Sequence, residues 1–439
     1  MYSKFLNKIL LPLGSLFFSG NYSKYLNDWK KYDNMSAEEL ERIQSENLKK
    51  ILQYASENVP YYRDLNLDKD ADLSDFPILT KAILRTKSNQ LISDKYHKNQ
   101  LETNHSSGSS GEQSFTYMSF DHKFYLRALQ THWWMWGGYK PGEFMLQAGI
   151  SPKRSFPKKL KDLFFRVQYM NAFKLKQDEI TEQLKLLEKK DPKHLAGYPS
   201  ALNEIALLAL SNNKIYHFKS LISYGDKLFG HYRKNFENAF QNPTIINTYG
   251  CAEGLLMACQ ADLPYYYIMS PHVFLEVVNE NGEPVPDGER GHILVTSLSS
   301  FSMPLIRYRL GDLGVLLPKS LYPSHRKFNY PLLQEVTGRE TEIIKAPNGN
   351  ILTVHSFTGI LEYVEEIKQF KIIQISKIRL VVEYQTDSGV KLPFKVENEV
   401  HDKLLDLVEG TMDITFNLVE KIAASPSGKP QIIEIQRKN

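Results

Sequence analysis

Leu40, Ile43, Leu48, Ile51, Leu52 and Ala55 recur at helical spacing and share one face. Ser36-Ala37-Glu38-Glu39 ahead of them is a capping box, and Pro60 stops the helix near Val59. The same periodicity predicts helices over His122–Trp136, Asp178–Lys190, Pro199–Ser211 and Glu397–Val408. Short apolar or β-branched runs at Phe115–Met118, Leu221–Tyr224 and Thr244–Asn247 predict strands. From 140 to 300, helices alternate with such runs, which implies βαβ units and mostly parallel sheet. After 270 the character changes: His272–Val278, Asn281-Gly282 and His292–Ser297 give a hairpin-like signal for antiparallel structure. Past Gly338 a hairpin (Glu342–Lys345, Asn348-Gly349, Ile351–Val354) opens a separate α+β unit. Its strands are predicted at Ile372–Ile375, Ile378–Glu383 and Asp413–Val419. The expected organisation is α/β: a large domain over 1–337, led by helices over 1–100, and a small α+β domain over 338–439.

At 439 residues the chain exceeds one ordinary compact core, which agrees with two domains. Net charge is +4 and no Lys/Arg block is long, so a nucleic-acid face is not indicated. Lys158-Lys159-Leu160-Lys161 and Lys189-Lys190 read as solvated helix faces. Cys251 and Cys259 make neither a disulfide framework nor a Cys-x-x-Cys zinc pattern, which suits a reducing cytoplasm. Residues 9–18 form an apolar run behind Lys4 and Lys8, far short of the ~20 residues that span a bilayer. It can dock on the protein's own surface, rest on a membrane surface, or serve as a secretion signal.

Five segments carry candidate chemistry. Ser106-Ser107-Gly108-Ser109-Ser110-Gly111 has the form of a phosphate-binding turn, with backbone N–H groups free to face an anion; Glu112-Gln113 after it rules out a Walker A motif. The same hexamer could be a linker, but it sits inside the folded body before an apolar strand. Tyr249-Gly250-Cys251-Ala252-Glu253 offers a ring to stack on adenine and a carboxylate for Mg²⁺, or else a core tyrosine and a solvated glutamate. Asp312, in Tyr308-Arg309-Leu310-Gly311-Asp312-Leu313, can accept two ribose hydroxyls or pair with Arg307 or Arg309. Arg339, in Gly338-Arg339-Glu340, can reach a phosphate or serve as a surface residue. Lys429 in Ser427-Gly428-Lys429 is either solvated or carried by a mobile domain to an α-phosphate.

In this order the segments resemble the acyl-adenylate-forming superfamily, and within it the phenylacetate–CoA ligase-like branch that includes ligases encoded in capsule-biosynthesis loci. Asn58-Val59-Pro60-Tyr61-Tyr62-Arg63, Gly197-Tyr198-Pro199-Ser200 and Ser223-Tyr224-Gly225-Asp226-Lys227-Leu228 carry the same likeness, so it covers nearly the whole chain. The resemblance implies mixed, largely parallel sheets with a β-barrel-like part, and a C-terminal domain acting as a mobile lid. It further implies that residues 106–111 hold the ATP phosphates, that Gly225 and Tyr249 flank the adenine, and that Gly250 belongs to the same cofactor site. Glu253 would hold Mg²⁺, Asp312 would bind the ribose hydroxyls, Arg339 would assist near the ribose and phosphate at the domain hinge, and Lys429 would be the catalytic lysine on the lid. A carboxylate would be activated as acyl-adenylate and passed to CoA or an amine. Two positions depart from the family: Ala252 replaces a usual Thr or Ser, and Thr341 stands where Asp or Lys is usual. A nucleotidyltransferase-like member that leaves AMP on its substrate, and a non-catalytic nucleotide-binding scaffold, are the alternative readings.

Overall fold

The computed structural model describes residues 2–6, 21–68, 70–106, 114–149, 156–172, 175–225, 228, 230–337, 343–361, 363–364, 366–386, 388–422 and 432–436. Strand β1 (Glu102–Ser106) pairs antiparallel with β2 (Ser114–Met118), Glu102 opposite Met118 and Ser106 opposite Ser114. The polar sequence Glu-Thr-Asn-His-Ser lacks the apolar alternation that marks a strand, so β1 was not expected. Cross-strand pairing supplies what propensity does not. Ser106 is therefore the last residue of a strand, and the rest of the Ser/Gly run joins two paired strands.

The next strands divide their side chains between two cores. On β3 (Phe144–Gly149) Met145 faces one core and Leu146 the other. On β5 (Lys193–Gly197) the pair is Ala196 and Leu195, on β6 (Ser220–Ser223) Ile222 and Leu221, and on β7 (Thr244–Cys251) Ile246 and Ile245. Successive side chains leave a strand on opposite faces, so both faces need cover. Helices Gln177–Leu187, Pro199–Ser211 and Gly230–Ala239 cover one face, and helices Tyr22–Tyr32 and Phe120–Trp136 the other. With β4 (Val167–Asn171) at the edge, these strands pair parallel in the order β4–β3–β5–β6–β7.

From β7 the sheet continues antiparallel. It runs through β8 (Leu255–Gln260), β9 (Tyr266–Ile268), β13 (Leu332–Thr337), β12 (Tyr308–Leu316), β11 (Arg290–Ser297) and β10 (Val273–Val278), making eleven strands in all. The predicted pairing of 272–278 with 292–297 is present, Val273 opposite Ser297. These strands belong to the one mixed sheet, and no closed barrel is found among the described residues.

The N-terminal helices are fastened to this body. Helix Ala37–Asn58 opens on the expected capping box: Ser36 Oγ accepts from Glu39 N and Glu39 Oε2 accepts from Ser36 N. At the end of helix Tyr22–Tyr32, Asp33 Oδ2 accepts from His132 Nε2 at 2.8 Å and from Trp136 Nε1 at 3.1 Å, while Oδ1 accepts from Tyr330 OH at 3.1 Å. Trp133, Trp134 and Trp136 are buried in the core behind that contact.

After the body come β14 (Ile343–Lys345) and β15 (Ile351–Thr353), helix Val354–Leu361, β16 (Ile367–Ser376), β17 (Arg379–Thr386), helix Phe394–Leu407, β18 (Asp413–Leu418) and β19 (Ile433–Ile435). The four-stranded sheet has the order β18–β17–β16–β19. Its core runs from Ile344 to Ile433 and, among the described residues, takes none from before 344. The Lys176 Nζ–Glu409 Oε1 pair, 2.7 Å apart, bridges it to the body. A cleft of about 870 Å³ lies between Asn203, Leu207 and Tyr232 on one side and Pro347, Gln374 and Ile378 on the other.

Three imidazoles are buried as neutral groups. Burial pushes His122 and His194 each from 6.5 down to about 4, and pushes His272 down as well. His194 lies between Ser220 Oγ (2.7 Å) and Glu143 Oε2 (3.1 Å), and the carboxylate only partly offsets the burial. Below pH 6.5 the unfolded chain binds protons that the folded chain refuses. Stability contributed by the neutral imidazoles is thus complete above that pH and is lost as pH falls toward 4. A series of thermal melts should show the midpoint dropping from pH 7 to pH 5. A flat profile over that range contradicts the burial.

Candidate active site

Two irregularities in the sheet build the site. On β12, Arg309 pairs with Leu294 and Leu313 with His292, so Leu310, Gly311 and Asp312 stand opposite the single residue Ile293. A bulge of this kind re-aims a side chain out of the ladder. Gly311 takes φ +91° at its centre, where a residue with a side chain would be strained. Across the sheet, Tyr249 pairs with Ala258 and Gly250 with Leu256, which leaves Met257 as an extra residue on β8. The two features meet: Tyr249 OH donates to Asp312 Oδ2 at 2.9 Å. Burial first, and the Asp312 charge second, push the Tyr249 phenol well above its ordinary value, so it stays a donor.

The salt bridge that the sequence left open for Asp312 is not made. Arg307 pairs with Glu276 at 3.2 Å and donates to the Phe76 and Gly282 carbonyls; Arg309 pairs with Glu280 at 2.8 Å. Asp312 is half-buried against a neutral phenol. An acidic acceptor placed in this way suits a pair of hydroxyls.

Glu253 sits in the turn after β7 and is buried. Tyr308 OH donates to its Oε1 at 2.8 Å, and Thr116 Oγ1 donates to its main-chain carbonyl at 3.3 Å. Thr116 lies on β2, the strand that the Ser/Gly run leads into, so the phosphate-loop candidate and the carboxylate candidate are joined through a neighbour. A cavity of about 10 Å³, room for roughly one water, lies among Thr116, Met118, His122, Glu253, Gly254 and Ser297. The Cys251 thiol is pushed well up by burial and then by the Glu253 charge. Among the described residues no three His, Cys, Asp or Glu side chains cluster to hold a metal. A solitary carboxylate fits Mg²⁺, which takes one or two carboxylates and completes its shell with phosphate oxygens and water.

Gly225 follows β6, whose Ser223 is paired with Asn247 of β7, so the loop leaves the sheet beside the strand that carries Tyr249. Its φ is +88°, and a Cβ there would lie 2.2 Å from Tyr198 Cε1. The motifs Gly197-Tyr198 and Tyr224-Gly225 thus meet, with Tyr224 N donating to Gly197 O at 3.1 Å. Gly225→Ala should cost about 1–3 kcal/mol through strain. A double variant with Tyr198→Ala should recover only the steric part, as read by thermal melts. An unchanged melting temperature in Gly225→Ala rules out the close approach.

The structure therefore brings Tyr249 to Asp312, and Glu253 to Thr116 and Tyr308. Ser107 to Gly111, Arg339 and Lys429 lie outside the described residues. Thr116 and Tyr308 were not singled out by sequence reasoning. Tyr308 opens the Tyr-Arg-Leu-Gly-Asp motif, yet only the fold shows that its hydroxyl serves Glu253.

Two family models match the chain: an AMP-binding enzyme domain over residues 166–303 and a CapK C-terminal domain over residues 344–436. The chain belongs to the acyl-adenylate-forming ligases. Protein CapK of Staphylococcus aureus is 22% identical over 97% of this chain and 95% of its own length. Phenylacetate-coenzyme A ligase of Pseudomonas putida is 32% identical over 28% of this chain and 27% of its own length. A solved 2-hydroxyisobutyryl-CoA ligase, in complex with 2-HIB-AMP and CoA in the thioesterification state, matches with a TM-score of 0.60 at 18% identity, over 93% of this chain and 92% of that one. That likeness shows a common fold, α/β with a C-terminal domain. The chain is an ATP-dependent, adenylate-forming ligase of the phenylacetate–CoA ligase-like, CapK type.

Proposed function

We propose that this ligase activates a carboxylic acid as its acyl-adenylate, releases pyrophosphate, and passes the acyl group to CoA or an amine during synthesis of a surface polysaccharide. The observation that carries the reading is Asp312 on its bulge, free of both arginines and met, among the described residues, by the Tyr249 phenol. Full-length similarity to Protein CapK supports the polysaccharide setting.

One carboxylate oxygen of the substrate attacks the α-phosphorus of ATP, and the bond to the β-phosphate oxygen breaks, its electron pair leaving with pyrophosphate. Catalysis of such a step is positioning and charge stabilisation. Ser106 to Gly111 cradle the phosphates through backbone N–H groups. Gly225, Tyr249 and Gly250 border the adenine, and Asp312 accepts the ribose hydroxyls. Glu253, oriented by Tyr308, holds Mg²⁺, which when bound neutralises phosphate charge. Arg339 works at the hinge between domains 1–337 and 338–439. Lys429 reaches the α-phosphate from the lid. At about 4 Å a lysine pairing is worth about 4 kcal/mol at an effective dielectric of about 20, against about 1 kcal/mol in water, so a closed lid is what makes it count. Ala252 removes one hydroxyl from the phosphate site, and Thr341 alters the hinge on which the second half-reaction turns.

Pyrophosphate release with a panel of aryl, acyl and uronic acids tests this reading. One class of acid should stimulate release, and CoA or an amine added afterwards should consume the adenylate. Failure of every acid favours the scaffold reading. AMP found on an acceptor other than a carboxylate favours the nucleotidyltransferase.

A further inference from the structure

Helix Phe156–Phe165 carries its large apolar residues on the outside. Phe156 is 78% exposed, Leu163 75%, Phe164 46% and Leu160 43%. At 100° per residue, positions 156, 160, 163 and 164 form one stripe, with Lys159 on one edge and Lys161 on the other. Asp162 and Phe165 are the residues that turn toward the body: the first is buried and the second half-buried. The lysine cluster at 158–161 is thus not a plain solvated face. It borders four large apolar side chains that no described residue covers.

We propose that this helix docks on an anionic lipid surface, its apolar stripe in the interface and its lysines on the headgroups. The charge argument decides the occupant. Lys159 and Lys161 edge the stripe in a ten-residue helix whose only acid, Asp162, is buried, so the helix's own exposed charged side chains are all lysines. An apolar stripe edged with lysine on a helix of high amphipathicity is the signature of an interfacial helix. The helix also leads directly into edge strand β4 and is tied to the N-terminus: Tyr2 OH donates to the Phe164 carbonyl at 2.8 Å, and the Arg166 guanidinium lies 4.0 Å from the Tyr2 ring centre. It is therefore held on the body rather than tethered, and can fix the enzyme's orientation on a bilayer.

Co-sedimentation of the full-length protein with vesicles tests the proposal. One set is phosphatidylcholine mixed with phosphatidylglycerol and the other is phosphatidylcholine alone. The native protein should partition to the mixed vesicles at least about tenfold better, and lose most of that binding at 1 M salt, where the screening length is about 3 Å. Phe156→Ser with Leu163→Ser removes only exposed side chains. It should lower partitioning by about tenfold or more while acid-stimulated pyrophosphate release in solution stays unchanged. Lys159→Glu with Lys161→Glu should lower binding to the mixed vesicles alone. Partitioning that is absent, or unmoved by either pair, overturns the proposal. So does partitioning lost only on removal of residues 9–18, which would assign the contact to that run. A dimer that forms without lipid and disappears in the Phe156/Leu163 variant would assign the stripe to a second copy instead.

Discussion

Glu253→Gln is expected to slow acid-stimulated pyrophosphate release by about a hundredfold or more, with the protein still folded. The amide keeps the size of the side chain and its carbonyl can still accept the Tyr308 hydroxyl, now at 2.8 Å from Oε1. Only the charge is lost. Tyr308→Phe makes the complementary change: it keeps the carboxylate and removes one orienting hydrogen bond, worth about 0.5–1.5 kcal/mol. Its effect on rate should therefore stay within about tenfold. The contrast separates a charge that acts on the phosphates from a buried carboxylate satisfied by its neighbour. Steady-state release assays on the two variants read it directly, and equal small effects would return Glu253 to the core.

The largest loss of stability is expected from Asp33→Ala. The carboxylate holds three donors from two distant elements, His132 and Trp136 on one helix and Tyr330 just before β13. Truncation leaves an imidazole, an indole and a phenol without their acceptor in a nearly dry core, a penalty of about 3–5 kcal/mol. In a chain of this size the melting temperature should fall by roughly 3–5 °C. Asp33→Asn keeps an acceptor and should lose less. A shift within about 1 °C for Asp33→Ala would mean that water replaces the carboxylate at no cost, contrary to the burial of that contact.

What could be read from the sequence divides along a physical line. Elements whose apolar period matches their burial were legible: the helix after Ser36 with its capping box, the helix starting at Pro199, and the hairpin turning at Asn348-Gly349. Strand β1 was not, because its residues are polar and only pairing with β2 makes them a strand. Around Lys158–Lys161 a helix face was legible but its apolar stripe was not, because that stripe faces outward and the lysines alone suggested a solvated surface. At the site, Asp312 and Tyr249 could be singled out as candidates from their residue types and motifs. Their contact was not, because it depends on two bulges, at Leu310–Asp312 and at Met257, which no local pattern announces. For the same reason Arg307 and Arg309 stayed ambiguous partners until Glu276 and Glu280 were found to hold them.

The central claim is that a carboxylate oxygen becomes bonded to the α-phosphorus of ATP. Labelling the accepted carboxylic acid with oxygen-18 and weighing the AMP after acyl transfer measures this step itself. The carbon–oxygen bond to the acyl group breaks on transfer, so one labelled oxygen must leave with AMP, and the AMP should be heavier by that label. Unlabelled AMP, or ADP in its place, contradicts the account.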